Sequence, residues 1–505
     1  MDRMKEKLQQ YMDAGFPLIY VDTFEEDKAT RLIVSAAGGM RVTEWTERGY
    51  FGLEEGVWVN YESDISLPAL LSRLAETPED LEGSVLILKD AAAFMDQPEV
   101  KALLKHFALL VNRGRDGGGI DELTMVIISP VIKLPRELEE FVTILHTDYL
   151  DINDITSVID AFCAEQQVTV NPEVRSRLAQ AFKGLSEFEI RNILALALSD
   201  DGQISMDDLH LIFDQKQQVI AKSGILEMVP LKEKPEDIGG LENLKRWMVK
   251  KKGIFENVEK ARAFGVDMPK GVLIAGMPGC GKSLNAKAAA SLFHVPLLRM
   301  DMGRLMGKYV GESEANMRRA IRQAEAISPC VLWIDELEKA FAGIGGAGGA
   351  ADVTTRLFGT FLTWLQEKTS LAFVVATANK IEKLPPELLR KGRFDEIFYV
   401  DLPNRKERRK IFEIHIGKRR KQDLPSINLD SLVNASDGFS GADIEGVVKD
   451  AVETAFNDGR RSITTDDILQ AMKETSPLSE VMKDSISSMR NTFTRNHFKK
   501  ASEDE

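Results

Sequence analysis

The eight residues Gly276-Met-Pro-Gly-Cys-Gly-Lys282-Ser283 constrain this chain more than any other segment. They fit GxxxxGK[ST], follow the apolar run GVLIA and lead into the helix-compatible SLNAKAAASLF. Strand, glycine-rich turn and helix in that order make a phosphate-binding loop. The glycines let backbone N–H groups turn inward around phosphate oxygens, and the start of the helix adds partial positive charge. Gly276, Pro278, Gly279, Cys280, Gly281 and Leu284 are therefore expected to form the wall of a nucleoside triphosphate site. Lys282 is expected to reach the β- and γ-phosphates, and the Ser283 hydroxyl to ligate Mg2+.

Three further elements fit the same chemistry. The buried run CVLWI ends in Asp335 and Glu336, adjacent carboxylates that project to opposite sides. Asp335 suits a Mg2+ site through water, and Glu336 suits a general base that deprotonates an attacking water. Asn379 follows the run AFVVAT, where an amide can fix that water or sense the γ-phosphate; asparagine at a strand end is also common turn chemistry. LLRKGRFD carries Arg390 and Arg393, which read either as a basic surface turn or as guanidiniums that stabilise charge in phosphoryl transfer.

The 505-residue length exceeds what one core organises. Short Val-, Ile- and Leu-rich runs (GVLIA, VPLLRMD, CVLWID, AFVVAT, EIFYVDL) alternate with helical stretches, the pattern of a buried parallel sheet in an α/β fold. A repeat relates the halves. SVLILKDAAAFM, from residue 84, aligns with CVLWIDELEKAF, from 330. MVIISPVIKLPREL, from 125, aligns with FVVATANKIEKLPPEL, from 373. LSEFEIRNILALAL, from 185, aligns with FSGADIEGVVKDAV, from 439. The expected organisation is an α/β domain over 1–150, a helical domain over 151–225, and a linker over 226–236. A second α/β domain over 237–403, a helical lid over 404–477 and a C-terminal tail over 478–505 follow. The last ten residues are expected to be disordered.

Charge divides along the same line. Residues 1–228 hold 21 Lys/Arg and 40 Asp/Glu, a net of −19, while the rest of the chain is net +5. An acidic front half repels phosphates, which disfavours nucleic acid as its partner. The three cysteines are far apart and show no CxxC spacing. No run approaches the about 18 apolar residues of a membrane span, and the charged, amphipathic start shows no secretory h-region and no small-residue cleavage site. The cytoplasm, or the plastid stroma for an organellar chain, is the expected location.

DIGGLENLK, GMPGCGKS, KYVGESEANMRRAIRQA, CVLWIDE, ATAN, LPPELLRKGRFDEIF, RKIFEIH and GFSGADIEGVV together resemble the AAA clade of ATPases over residues 237–475. The resemblance implies a P-loop NTPase fold with a helical lid, binding ATP and Mg2+ and working as a homo-hexameric ring. It makes Asn379 the first sensor, and Arg390 and Arg393 arginine fingers acting on a neighbouring subunit. Ile238 and Gly239 would line the adenine pocket near His415, and Gly441 and Ala442 would fill a small-residue second-sensor position. Tyr309 of the KYVG loop would face a central pore and grip an extended polypeptide; an exposed loop aromatic with no role is the plainer alternative. The glycine-rich Gly343–Gly349 reads as a mobile loop near that pore. As a whole the chain is similar to an AAA ATPase family of cyanobacteria and plastid genomes whose front half is degenerate.

The front half supports degeneracy on its own chemistry. FPLIYVDT runs straight into FEEDKATRLIV, so Glu25, Glu26 and Asp27 stand where the second half has glycines. Lys89 and Asp90 stand where Asp335 and Glu336 stand. Neither hydrolysis nor binding of nucleotide is expected within residues 1–225. The leading function is an ATP-driven motor that remodels a protein client, directly or through an adaptor. A slow nucleotide switch or assembly scaffold is the second reading. A DNA-linked machine is the third, kept open by the basic stretch KERRKIFEIHIGKRRK.

Overall fold

A computed structural model describes residues 2–114, 119–130, 132–147, 149–222, 224–231, 237–305, 312–340 and 349–503. The chain forms two compact units, one of residues 1–180 with 185–204, the other of 181–184 with 205–505.

The first unit is built on seven strands: β1 (Leu18–Asp22), β2 (Arg41–Thr46), β3 (Gly49–Glu54), β4 (Val57–Ser63), β5 (Ser84–Lys89), β6 (Leu123–Ser129) and β7 (Val142–His146). Their order is β4-β3-β2-β5-β6-β1-β7. The five strands from β2 to β7 run parallel, and β3 and β4 add an antiparallel hairpin. That hairpin turns on Glu55 (φ +48°) and Gly56 (φ +83°), the two positive values a tight turn between right-twisted strands requires. Along β1, Leu18 and Tyr20 enter one core while Ile19 and Val21 enter another, so both faces of the sheet are covered.

The second unit has seven strands as well: β8 (Leu226–Val229), β9 (Gly271–Gly276), β10 (Leu297–Met300), β11 (Cys330–Ile334), β12 (Ala372–Ala378), β13 (Glu396–Val400) and β14 (Lys499–Lys500). Their order is β14-β13-β9-β12-β11-β10-β8, with only β8 antiparallel to its neighbour. Counted along the chain, strands β1, β2, β5, β6 and β7 of the first sheet and β9 to β13 of the second stand in one order: fifth, first, fourth, third, second. The repeat read from sequence is thus a repeat of topology. Helices Arg405–Arg420, Leu429–Ala435, Gly441–Asn457 and Thr465–Glu474 close around Phe412, Leu432, Val447 and Ile468 as a separate helical core.

Two expectations are corrected. Part of the expected linker is β8, because Leu226 and Met228 alternate into the core while Glu227 points out, until Pro230 ends the strand. The expected disordered end is ordered through residue 503. Helix Lys483–Asn496 stacks Phe493 on Tyr399 with ring centroids 3.8 Å apart, and β14 then pairs with β13. Helix Glu242–Glu256 starts after Leu241, which supplies no side-chain cap. The buried Ala501 supplies one instead, its carbonyl accepting from the N–H groups of Asn243 (3.0 Å) and Leu244 (3.2 Å).

Candidate active site

The loop after β9 turns on Gly276 (φ +147°), Gly279 (φ +70°) and Gly281 (φ +79°), conformations that favour glycine. A Cβ on Gly276 would stand 1.9 Å from the Val400 carbonyl oxygen. Lys282 opens the following helix, buried, with its amine donating to the carbonyls of Gly276 (3.0 Å) and Met277 (2.5 Å). Burial pushes the lysine pKa down to about 8, outweighing the upward pull of Cys280, Glu338, Asp335 and Glu336. Burial likewise pushes the Cys280 thiol up to about 12, so it stays protonated at neutral pH.

Beyond β11 and β12 lies a tight polar network. Ser283 Oγ donates to Asp335 Oδ1 at 2.9 Å, and Thr377 Oγ1 donates to the same oxygen at 2.6 Å. The Thr377 hydroxyl in turn accepts from the Glu336 N–H at 3.0 Å. Glu336 has a left-handed backbone (φ +50°). Its carboxylate accepts from Asn379 Nδ2 (3.1 Å) and from Lys339 Nζ (2.5 Å). The Asn379 N–H donates to the buried Glu338 (3.0 Å), which fixes the asparagine from behind.

The opposite wall joins the segment before helix Glu242–Glu256 to the lid. Gly239 is required there, since a Cβ would lie 2.6 Å from Ile411 Cγ1. Glu407 binds both elements: Oε1 accepts from the Leu241 N–H (2.8 Å) and Oε2 from the Asn404 N–H (3.0 Å) in a capping box. His415 presents a buried Nδ1 with no hydrogen bond, 3.8 Å from Glu445, and burial lowers its pKa. Helix Gly441–Asn457 begins against the phosphate loop, with the Ala442 N–H donating to the Gly279 carbonyl at 2.9 Å. A Cβ on Gly279 would lie 2.9 Å from the Ala442 Cβ, so this contact needs small residues on both sides.

These walls enclose a cavity of about 440 Å³. Of the residues expected from sequence, Ile238, Gly239, Pro278, Gly279, Cys280, Gly281, Lys282, Ser283, Leu284, Asp335, Glu336, Asn379, His415, Gly441 and Ala442 line it. Gly276 shapes the loop without lining the cavity. Arg390 and Arg393 do not line it either. Arg390 borders a different cavity with Arg262, Lys270 and Asp395, and the Arg393 guanidinium donates to the Glu387 carbonyl. Tyr309 and residues 343–348 lie outside the described residues. Sequence reading missed Thr377, Asp401, Glu407 and Glu445 as lining residues. Only Glu407 carried a signal, the N-x-x-E pattern of a capping box. The hydroxyl of Ser283 and the carboxylate of Asp335 form an all-oxygen donor set suited to a hard divalent cation.

The same places in the first sheet are filled differently. Thr23, Phe24 and Glu25 alone join β1 to helix Glu26–Ala36, where the second sheet has residues 277–281. Asp90 repeats the left-handed backbone of Glu336 with φ +58°. Lys89, at the place of Asp335, pairs with Glu44 at 2.8 Å, putting a cation where the other site has a metal-type ligand. Glu25 Oε1 accepts from the Glu187 N–H (2.9 Å), where helix Glu187–Asp201 begins.

A phosphate loop after the first strand, paired carboxylates after the third, an asparagine after the fourth and a helical lid define an ATPase module of the AAA type. Residues 272–402 match the ATPase family associated with various cellular activities (AAA), and 426–470 match the AAA+ lid domain. Residues 4–147 match the SpoVK-like AAA ATPase N-terminal domain, and 153–223 its second domain. The AAA domain-containing protein ycf46 of Guillardia theta is 38% identical over 486 residues, 94% of this chain and 92% of that protein. The ycf46 protein of Trieres chinensis is 35% identical over 484 residues, 95% and 94% of the two chains. The cell division cycle protein 48 homolog of Archaeoglobus fulgidus is 32% identical over 275 residues, 52% of this chain and 36% of that one. The chain belongs to the AAA ATPases with SpoVK-like N-terminal domains, together with the ycf46 proteins.

Proposed function

We propose that this chain is an ATP-hydrolysing motor that remodels a protein client as a homo-hexameric ring, with one active nucleotide site per chain. Lys282 and the loop N–H groups bind the phosphates, and Ser283 and Asp335 hold Mg2+. When bound, the cation supplies neutralisation of charge on the β- and γ-phosphates. Glu336 takes the proton of the attacking water, and Asn379 orients both. The adenine lies between Ile238, Gly239 and His415.

One observation carries the ring. Among the described residues lining the cavity, Lys282 is the one lysine or arginine, facing Asp335 and Glu336, while Arg390 and Arg393 lie elsewhere. A triphosphate needs more positive charge than its own chain brings, and a neighbouring copy's arginines supply it. Tyr309 grips the client, a protein rather than nucleic acid. Against the DNA reading, the basic lid helix spends its charges internally: Arg409 pairs with Asp430 (2.6 Å), Arg419 with Glu445 (3.0 Å) and Arg420 with Asp423 (2.6 Å). Among the described residues no helix is long and apolar enough to cross a membrane, and we place the motor in the cytoplasm or the plastid stroma.

Mixing Arg390→Ala/Arg393→Ala chains with Lys282→Ala chains tests the ring. Each alone is expected to be inactive, and mixtures to regain part of the turnover. Turnover per chain that is independent of concentration, with no recovery on mixing, rejects shared sites. The switch reading is favoured by one observation, the engagement of Glu336 by Lys339 at 2.5 Å, which suits slow hydrolysis.

A further inference from the structure

We infer that Thr377 is a positioning residue for hydrolysis: its hydroxyl ties the backbone of the general base Glu336 to the metal-holding carboxylate of Asp335. The inference rests on the nucleotide reading above and assigns a role to a threonine of the ATAN segment to which that reading gives none.

Thr377 sits on β12 at the cavity wall and is only 1% exposed, so its hydroxyl needs partners within the protein. It has two. The proton goes to Asp335 Oδ1 at 2.6 Å, and a lone pair accepts from the Glu336 N–H at 3.0 Å. Ser283 Oγ converges on the same Asp335 oxygen at 2.9 Å. One hydroxyl therefore spans both acidic residues, and a shift of one is carried to the other. The tie is short and charge-assisted on the Asp335 side, where hydrogen bonds are strongest.

The first sheet provides an internal comparison. There Lys89 pairs in register with Ile128, as Ile334 pairs with Ala376 in the second sheet. Carrying the register one residue past Ile334 sets Ile128 at the place of Thr377, one residue before the Ser129 that the linear repeat places there, and Ile128 shares the face of Val126 as Thr377 shares that of Val375. Asp90 nevertheless keeps the left-handed backbone found at Glu336. The turn after the third strand thus forms beside an apolar β-branched residue, so the hydroxyl is not what makes the chain turn. Its separate contribution is the polar tie, present in the sheet that carries the complete phosphate loop and absent from the sheet that lacks it. The same comparison says that valine at 377 is compatible with the fold.

The test uses the full chain with Thr377→Val and Thr377→Ser. Binding of a fluorescent ATP analogue, steady-state kcat and KM, and Mg2+ titrations at fixed ATP are measured, with thermal unfolding as a control. Thr377→Val is expected to bind the analogue within about threefold of wild type, to lose roughly 10–100-fold in kcat and to need more Mg2+ for half-maximal rate. Thr377→Ser is expected to restore turnover to within about threefold, because it keeps the hydroxyl and loses a methyl group. Wild-type kcat and Mg2+ dependence in Thr377→Val would overturn the inference. So would equal losses in the valine and serine variants, or a loss of analogue binding that accompanies the loss of turnover. Wild-type protein that binds no ATP analogue at all would instead overturn the nucleotide reading, and the inference with it.

Discussion

Lys339 Nζ lies 2.5 Å from Glu336 Oε2, three residues along the chain, so the proposed base is held by a cation of its own segment. Lys339 is largely exposed, and such pairs are weakened by solvent screening. Releasing it is therefore a modest effect with a clear sign. Lys339→Ala is expected to raise basal ATP turnover by up to about fivefold, with nucleotide affinity unchanged. A fall in turnover would mean that Lys339 serves the reaction and does not restrain it.

The lowered pKa of Lys282, about 8, gives ATP binding a pH dependence. Phosphates favour the charged amine, so the bound state holds the proton to higher pH than the free site. Below pH 8 the amine is already charged and affinity is level. Above it, a proton must bind with the nucleotide, and affinity falls by up to about tenfold per pH unit. Calorimetry at pH 9 in buffers of different ionisation heat should show proton uptake that is absent at pH 7. Affinity that stays level to pH 10 would reject this assignment.

The C-terminal segment is expected to matter for both stability and binding. Arg490 holds Asp401, a cavity-lining residue, through contacts of 2.9 and 3.0 Å. Ala501 caps the helix that follows Ile238 and Gly239. Truncation after Phe498 leaves the edge of β13 open and two N–H groups uncapped. It should cost about 1–3 kcal/mol in urea unfolding and weaken ATP binding. Unchanged binding in a truncated chain of reduced stability would confine the segment to a structural role.

The nucleotide site is expected to be single. Titration with a non-hydrolysable ATP analogue should saturate at one per chain, and Lys282→Ala should abolish it. Glu336→Gln should keep binding and lose turnover by a factor typical of a missing general base, roughly 10²–10⁴. Two equivalents per chain would place a second site in residues 1–225.

Much of this site is legible in the sequence because its chemistry needs fixed spacing. GMPGCGKS, the Asp335–Glu336 pair and Asn379 each follow a buried strand, and strand order brings their ends together. What was not legible depends on partners distant in sequence. Thr377 looks like any threonine in an apolar strand until β11 is set beside it. The capping of Asn243 and Leu244 by Ala501 joins residues more than 250 apart and leaves no periodicity to read. The hairpin of β3 and β4 turns at Glu55-Gly56, but β4 is largely exposed and has no buried apolar run to mark it as a strand. β8 was hidden by its brevity and its nearness to Pro230.

The contact between Glu25 and Glu187 separates the histories open to the two halves. In the second half, helix Gly441–Asn457 rests on a loop that has room for a phosphate, so its hold can differ before and after hydrolysis. In the first half, the corresponding helix is bonded to a carboxylate that is covalently part of the chain. That anion is neither consumed nor released. On the proposed function, this contact of the first half is expected to persist through the ATP cycle of the second, because no step of nucleotide turnover removes a side-chain carboxylate.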